Sequence, residues 1–366
     1  MKRLISLTLI FILSLGMLVG CKSKYPAQKS TKEEARVVMT LSFDGEEYDV
    51  KYELYRALFL ANKSAVDGGD SSVWSGSKKD EYVNKINKLI IDGASEIYSA
   101  MHLSDKLGFD LYSKEANKEV EEFVRIAVEG NGADIIGYGG DYDAYLADLA
   151  KRGLNYSVQD LLFRYSMALE KINEYYLGTE DAALGTLEGE YKFSVDDVRE
   201  FYFGSESVRI LHAYMQADVI VGSYERMESL REKIATLSPK EAALYIIQNT
   251  SATPTDLIIN KEVSGIVFGN YTTDDVYSDY REAAFSLTTG EVSEIIEIND
   301  GVKGYYVIYK LDKDEAHFTA CYEDIKLAYL DNVISRELIK ISDGLTSGAK
   351  MTKKYGEIVH SEISAK

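Results

Sequence analysis

The N-terminal 21 residues constrain this chain most strongly, because they decide where it folds and which cross-links it can use. Lys2 and Arg3 precede an apolar run at 4–19, and the run ends just before Cys21. A basic segment followed by a short apolar segment is typical of a secretory signal, and this run is too short for a comfortable membrane span of about 20 residues. The sequence therefore predicts an exported protein.

The end of this segment, Leu-Val-Gly-Cys at 18–21, resembles the lipobox of bacterial lipoproteins, in which the cysteine becomes the lipid-modified first residue of the mature chain. We expect residues 1–20 to be a lipoprotein signal peptide and Cys21 to anchor the chain on the outer face of the bacterial cell membrane. An ordinary signal peptide with a chance cysteine, or an uncleaved anchor, is the alternative. Cys321 is the other cysteine, so core packing rather than a disulfide must hold the exported chain together.

Acidic residues dominate the composition, with 60 Asp and Glu against 41 Lys and Arg and a formal net charge of −19. Binding of nucleic acid needs a basic face, and the lysines and arginines do not cluster strongly enough to make one, so we expect no nucleic-acid partner. With two cysteines and four scattered histidines, the sequence lacks a ligand set with the usual spacing for zinc. We therefore expect no metal and no cofactor.

The mature chain shows three kinds of pattern. Residues 21–36 are polar and are typical of a flexible tether. Within an N-terminal arm, 37–204, a strand at Val37–Phe43 ends in an Asp-Gly turn, and 48–202 has helical periodicity, as in the stripe formed by Ile86, Ile90 and Ile97.

From residue 205 the periodicity changes to that of a compact α+β domain. Strands or helices are predicted in the order β-α-α-β-α-β-β, at 208–215, 224–237, 240–248, 263–268, 276–286, 292–298 and 304–311. The C-terminal residues 315–366 return to a long helix at 319–342 and a strand at 355–361, which we expect to pair with the strand at Val37–Phe43. The domain at 205–314 would then be an insertion into a mostly helical module.

Residues 283–293, AAFSLTTGEVS, resemble the signature of the parvulin-type prolyl isomerases, and 304–308, GYYVI, stand where that family has GYHII. His212 lies in the predicted first strand and matches the first active-site histidine of the family. Lipobox, helical arm, inserted parvulin-like domain and C-terminal helix together resemble the exported PrsA- and SurA-type foldases. The resemblance covers nearly the whole mature chain and implies an α+β fold in which a mostly helical chaperone module carries the inserted domain.

Several positions depart from the parvulin pattern. The second active-site histidine falls at Tyr306, and the first two pocket positions fall at Val276 and Tyr280, whereas the later pocket phenylalanine is retained as Phe285. The glycine-rich loop that carries a further polar residue in the family is absent from 249–263. The resemblance implies catalytic roles for His212 and Tyr306 and a substrate pocket at Val276, Tyr280 and Phe285. The alternative for His212 is a purely structural role on the inward face of a strand.

The resemblance implies a lipid-anchored, extracytoplasmic foldase or chaperone that binds unfolded exported polypeptides and contacts the membrane through Cys21. Peptidyl-prolyl isomerase activity is left open, and so is a homodimer. One alternative is a chaperone whose parvulin-like domain does not catalyse. A solute-binding lipoprotein is disfavoured, because such proteins have repeated βα units in two lobes.

Overall fold

The computed structural model describes residues 24–132, 135–181, 186–217, 221–250, 258–259, 262–273, 277–299 and 302–352. Cys21, Val276 and the strand predicted at 355–361 lie outside these residues. The chain divides into two compact units. The discontinuous unit consists of Met1–Tyr175 and Glu337–Lys366, and the continuous unit is Tyr176–Arg336. Helices and antiparallel strands occur in both, which confirms the α+β class.

The discontinuous unit is mostly helical. Its helices are α1 Tyr52–Asp67, α2 Lys79–Lys106, α3 Lys114–Glu129, α4 Tyr142–Lys151 and nearly all of α5 Tyr156–Leu177, with a short 3₁₀ turn at Ser71–Trp74. The predicted stripe on α2 is the buried face of that helix, because Ile86, Ile90 and Ile97 are fully buried. Among the described residues, helices long and apolar enough to cross a membrane are not found.

A small sheet joins the two ends of this unit. Strands β1 Val37–Phe43, β2 Glu46–Lys51 and, near the C-terminus, β11 Lys350–Met351 lie in the order β11-β1-β2, all antiparallel. Asp44 and Gly45 have φ values of 53° and 84°, which suit the tight turn of a two-residue hairpin. The prediction of helix from residue 48 is therefore wrong at its start, because 46–51 turn back to pair with β1.

The continuous unit is built on a four-stranded antiparallel sheet of β5 Ser207–Gln216, β8 Ile266–Gly269, β9 Ile296–Asn299 and β10 Lys303–Lys310. The strands lie in the order β8-β5-β10-β9. Its helices are α6 Val195–Phe203, α7 Ser223–Ile234, α8 Pro239–Asn249, α9 Ser278–Ser286, α10 Glu315–Ala320 and the first part of α11 Tyr322–Ser347. Two short ribbons pair β3 Thr179–Asp181 with β4 Thr186–Glu188, and β6 Ile258–Ile259 with β7 Glu262–Val263.

Side-chain alternation along β5 and β10 gives the sheet two covered faces. Leu211, Ala213 and Met215 share one core with α7 and α8. Val208 and Ile210 share a second core with α9 on the opposite face. The sequence-predicted order of elements from β5 to β10 is observed, with the short ribbon β6–β7 added before β8.

The C-terminal helix differs from the single element predicted at 319–342. It begins earlier, as α10, where the Asp314 carboxylate accepts a hydrogen bond from the His317 amide at 2.8 Å. The chain leaves helical geometry at Cys321, which is buried, and resumes as α11. A third core of the continuous unit forms here, from Val198, Tyr202, Phe318, Cys321 and Ile325.

Candidate functional site

His212 occupies the face of β5 that is covered by α9. Its Nδ1 lies 2.5 Å from the hydroxyl oxygen of Tyr280, and the two rings meet edge to face with centroids 5.8 Å apart. Tyr280 projects from the first turn of α9 and is only 8% exposed. A strand residue and a helix residue separated by 68 positions are thereby fixed against each other.

Tyr306 completes a triangle with these two residues. In the register of β10 against β5, Tyr306 lies opposite Tyr214, and Ile308 lies opposite His212. The ring of Tyr306 is 5.6 Å from that of His212 and 5.4 Å from that of Tyr280, in both cases edge to face. We call His212, Tyr280 and Tyr306 the aromatic triad; all three side chains touch, as the resemblance to parvulins implies for a shared site.

Phe285 lies one and a half turns after Tyr280 on α9 and belongs to the same hydrophobic cluster. It reaches the triad through Phe268 of β8, with ring centroids 6.2 Å apart, and Phe268 in turn lies 5.8 Å from Tyr280. The structure therefore brings together four of the five site positions that the resemblance implies in this domain. The fifth, Val276, lies outside the described residues.

Three further aromatic residues of this site were missed by sequence reasoning. The rings of Tyr214 and Tyr306 are tilted against each other with centroids 4.8 Å apart, and the ring of Tyr277 lies 6.2 Å from that of Tyr280 and 6.3 Å from that of Tyr306. Sequence spacing indicates the first two, because Tyr214 is two residues from His212 on a strand and Tyr277 is one helical turn from Tyr280. The third, Phe268, can be assigned to the site only from the pairing of β8 with β5, in which it lies opposite Val208.

Burial controls the charge of two members of the triad, His212 and Tyr280. It lowers the pKa of His212 to about 4, so the imidazole is neutral near pH 7. Burial also raises the pKa of Tyr280 well above its ordinary value, so its hydroxyl keeps its proton. The site therefore presents neutral hydrogen-bonding groups set among aromatic rings.

This chemistry suits the binding of an apolar ring next to an amide. Rotation about an X-Pro bond has a barrier of about 18–20 kcal/mol that arises from amide resonance. Lowering it needs a pocket that grips the proline ring, excludes water and favours the twisted amide, and no covalent step is required. Neutral imidazole and tyrosine hydroxyl groups can bind the adjoining carbonyl group without the cost of burying a charge.

A cavity of about 600 Å³ lies on the opposite face of the sheet, between α7 and α8. Its floor includes the buried side chains of Met215 and Leu230, and its rim is polar, with Glu225 and Arg226. The described residues that line this cavity include no histidine. We place the candidate site at the triad, where titratable groups and aromatic rings converge.

Within the described ranges, no group of three or more His, Cys, Asp or Glu side chains is placed to hold a metal ion. His317 is buried, but its Nδ1 is 2.9 Å from the Tyr202 hydroxyl, at the contact of α6 with α10. We assign it to the packing of these helices.

Comparison with known proteins finds similar solved structures but no matching sequence family. The chain matches no protein-family model and no curated protein sequence. Among solved structures it is similar to the foldase protein PrsA from Streptococcus pneumoniae, with 15% identity, a TM-score of 0.26, and coverage of 84% of this chain and 92% of that one.

Two further PrsA structures are similar to the same extent. The foldase protein PrsA from Lactococcus lactis is 12% identical at a TM-score of 0.25, covering 90% of this chain and 99% of that one. The peptidylprolyl isomerase PrsA from Bacillus cereus is 17% identical at a TM-score of 0.23, and the match covers 78% of this chain and 93% of that one. At this level of similarity no residue role or activity is transferred from them to this chain.

Proposed function

We propose that this chain is a foldase of exported proteins, anchored by a lipid on Cys21, which binds unfolded polypeptides and has weak prolyl isomerase activity at the aromatic triad. The observation that carries the proposal is the convergence of His212, Tyr280 and Tyr306 on the α9 face of the sheet. The resemblance assigns these three positions to one site, and their hydrogen-bond and ring contacts support that assignment.

Weak rather than full activity follows from the composition of the site. Tyr306 stands where the parvulin pattern has a second histidine, and Nδ1 of His212 is already engaged by Tyr280. Loss of one preorganised donor from an active site commonly lowers the rate by a factor of about 10² to 10³. A domain with such replacements should accelerate isomerisation far less than an intact parvulin does.

Two assays on the mature chain test the proposal. The first follows light scattering during refolding of an unfolded secreted protein, and the second follows isomerisation of a proline peptide in a protease-coupled assay. We expect suppressed aggregation together with slow isomerisation. A chain that leaves aggregation unchanged at equimolar amounts would contradict the foldase role.

A chaperone without catalysis is the second candidate. It is favoured by one specific contact, the 2.5 Å hydrogen bond through which Tyr280 occupies His212 Nδ1. The same assays decide between the two, because this candidate predicts suppressed aggregation with an isomerisation rate equal to the uncatalysed one.

A further inference from the structure

The segment that follows the lipid-attachment cysteine is docked on the discontinuous unit at the junction of α3 and α4. The Lys24 ammonium group lies 2.7 Å from the Glu129 carboxylate, and the Tyr25 hydroxyl donates to the same carboxylate at 2.8 Å. Tyr25 is 4% exposed, its ring lies 5.3 Å from that of Tyr142, and the Tyr142 hydroxyl donates to the Pro26 carbonyl at 2.7 Å. This segment is therefore held by packing and by hydrogen bonds, in contrast to the flexible tether that its polar composition predicts.

A second attachment lies five residues further along. The Ser30 hydroxyl donates at 2.5 Å to the carboxylate of Glu53, which is only 5% exposed. Asn155 and Ser157 donate to the same carboxylate, each at 2.8 Å. A buried carboxylate needs such donors, so releasing Ser30 would leave it less well satisfied. The docking is thus part of the core of this unit.

Chain length then limits how far the unit can lie from its anchor. Three residue steps separate Cys21 from Lys24, and a fully extended chain covers at most about 11 Å in three steps. We propose that the end of α3 and the start of α4 form the membrane-facing surface of the discontinuous unit, with the lipid bilayer as its partner. This inference rests on the lipid anchor of the proposed function.

The side chains around this surface are consistent with a protein that is held at the bilayer by its lipid anchor and not by electrostatic attraction. Ile136 is 95% exposed, although it is a large apolar residue, and its carbonyl group packs against Gly130 directly after α3. Asp141 and Asp143 are exposed at the start of α4. Acidic groups are repelled by anionic lipids, so the surface would not bind membranes by electrostatics alone. An exposed apolar side chain such as Ile136 can enter the membrane–water interface once the lipid anchor holds the surface there.

Fluorescence resonance energy transfer from a dye on the protein to a dye in the bilayer tests which surface of the discontinuous unit faces the membrane. The chain would be lipidated in a bacterial host, in a Cys321→Ser background, and reconstituted in phosphatidylcholine vesicles that carry a headgroup-linked acceptor dye. A donor dye is attached at Asp143→Cys or, as the matched control, at Glu115→Cys. Both substitutions replace an exposed acidic residue in the first turn of a helix, and Glu115 lies 14 residues from Glu129, about 21 Å along α3.

We expect transfer from position 143 to exceed transfer from position 115 by about twofold or more, and the difference to shrink when Tyr25→Ala and Glu129→Gln release the segment. Equal transfer from the two positions in vesicle-bound protein would overturn the orientation while leaving the lipid anchor intact. Protein that fails to float with vesicles and carries no lipid on Cys21 would overturn both this inference and the anchor. Suppression of client aggregation, measured separately, reports on the foldase role.

Discussion

His212 is neutral in the folded chain because burial lowers its pKa to about 4, whereas an ordinary histidine has a pKa of 6.5. Between these two values the unfolded chain binds a proton that the folded chain does not bind. Stability must therefore fall as the pH falls from about 6.5 toward 4, and this contribution is constant above that window. The partly buried imidazole thus makes the candidate site sensitive to acid.

Replacing His212 by Gln should reduce this pH dependence. We expect the free energy of unfolding of His212→Gln to change less between pH 7 and pH 4 than that of the unmodified chain, by up to about 3 kcal/mol. Urea unfolding at a series of pH values measures the difference. His317→Gln is a useful comparison, because burial also lowers the pKa of His317 to about 4 in a different core. Parallel curves for His212→Gln and the unmodified chain would show that His212 titrates normally.

Tyr306 tests whether the triad is a weakened isomerase site. We expect Tyr306→His to raise the isomerisation rate by about tenfold or more, because one preorganised donor contributes a factor of about 10² or more. Tyr305→His is the control, since Tyr305 lies on the other face of β10, where it packs beside Tyr224 with ring centroids 5.3 Å apart. An equal effect of the two substitutions in the protease-coupled assay would argue against a site at the triad.

At the scale of elements, the sequence was most informative where one periodicity continued for a whole helix or strand. β5, α7, α8 and β10 were predicted nearly within their observed bounds, because each has a clear apolar face. β2 was missed because Glu46, Glu47 and Asp49 make it polar and Val50 is its buried residue. Single-sequence patterns carry little information on such an edge strand.

The candidate site was predictable in its residues but not in its contacts. The 283–293 motif located Phe285, and the resemblance assigned His212 and Tyr306 to one site. Their meeting on one face depends on the register of β10 against β5, which the sequence does not give. The hydrogen bond between Tyr280 and His212 depends on how α9 is rotated against the sheet. That rotation is set by packing of Tyr280 and Ala284 into the core, which local sequence does not specify.

One close contact between elements of the continuous unit gives a stability prediction. A Cβ atom built on Gly269 would lie 2.0 Å from Oδ1 of Asn332, a buried residue of α11 whose Oδ1 accepts from the Tyr271 amide at 2.9 Å. Gly269→Ala should therefore destabilise the chain by about 1–3 kcal/mol in chemical denaturation. Gly76→Ala, whose Cβ would lie 3.4 Å from its nearest neighbour, should have little effect. Equal stability of the two variants would refute this packing account.

At the scale of the molecule, the compact unit Tyr176–Arg336 extends beyond the domain proposed from the sequence at 205–314. The added residues bring in the core of Val198, Tyr202, Phe318, Cys321 and Ile325, all of which the shorter fragment lacks. Burying such apolar surface contributes roughly 25 cal/mol per Å².

Fragment 176–336 should consequently unfold cooperatively and at a higher temperature than fragment 205–314, by more than about 10 °C. Differential scanning calorimetry of the two fragments measures this directly. Should the shorter fragment melt at the same temperature, the contacts of α6 with α10 and α11 would contribute little, and the boundaries proposed from the sequence would be sufficient.

The central claim, that the triad binds proline, is tested most directly by NMR titration of fragment 176–336, once its cooperative folding is established, with a proline-containing peptide and with the same peptide carrying alanine in place of proline. We predict that the proline peptide shifts the ring signals of His212 and Phe285 and that the alanine peptide does not. Shifts confined to the methyl signals of Met215 and Leu230, in the cavity on the other face of the sheet, or equal effects of the two peptides on His212, would contradict the account.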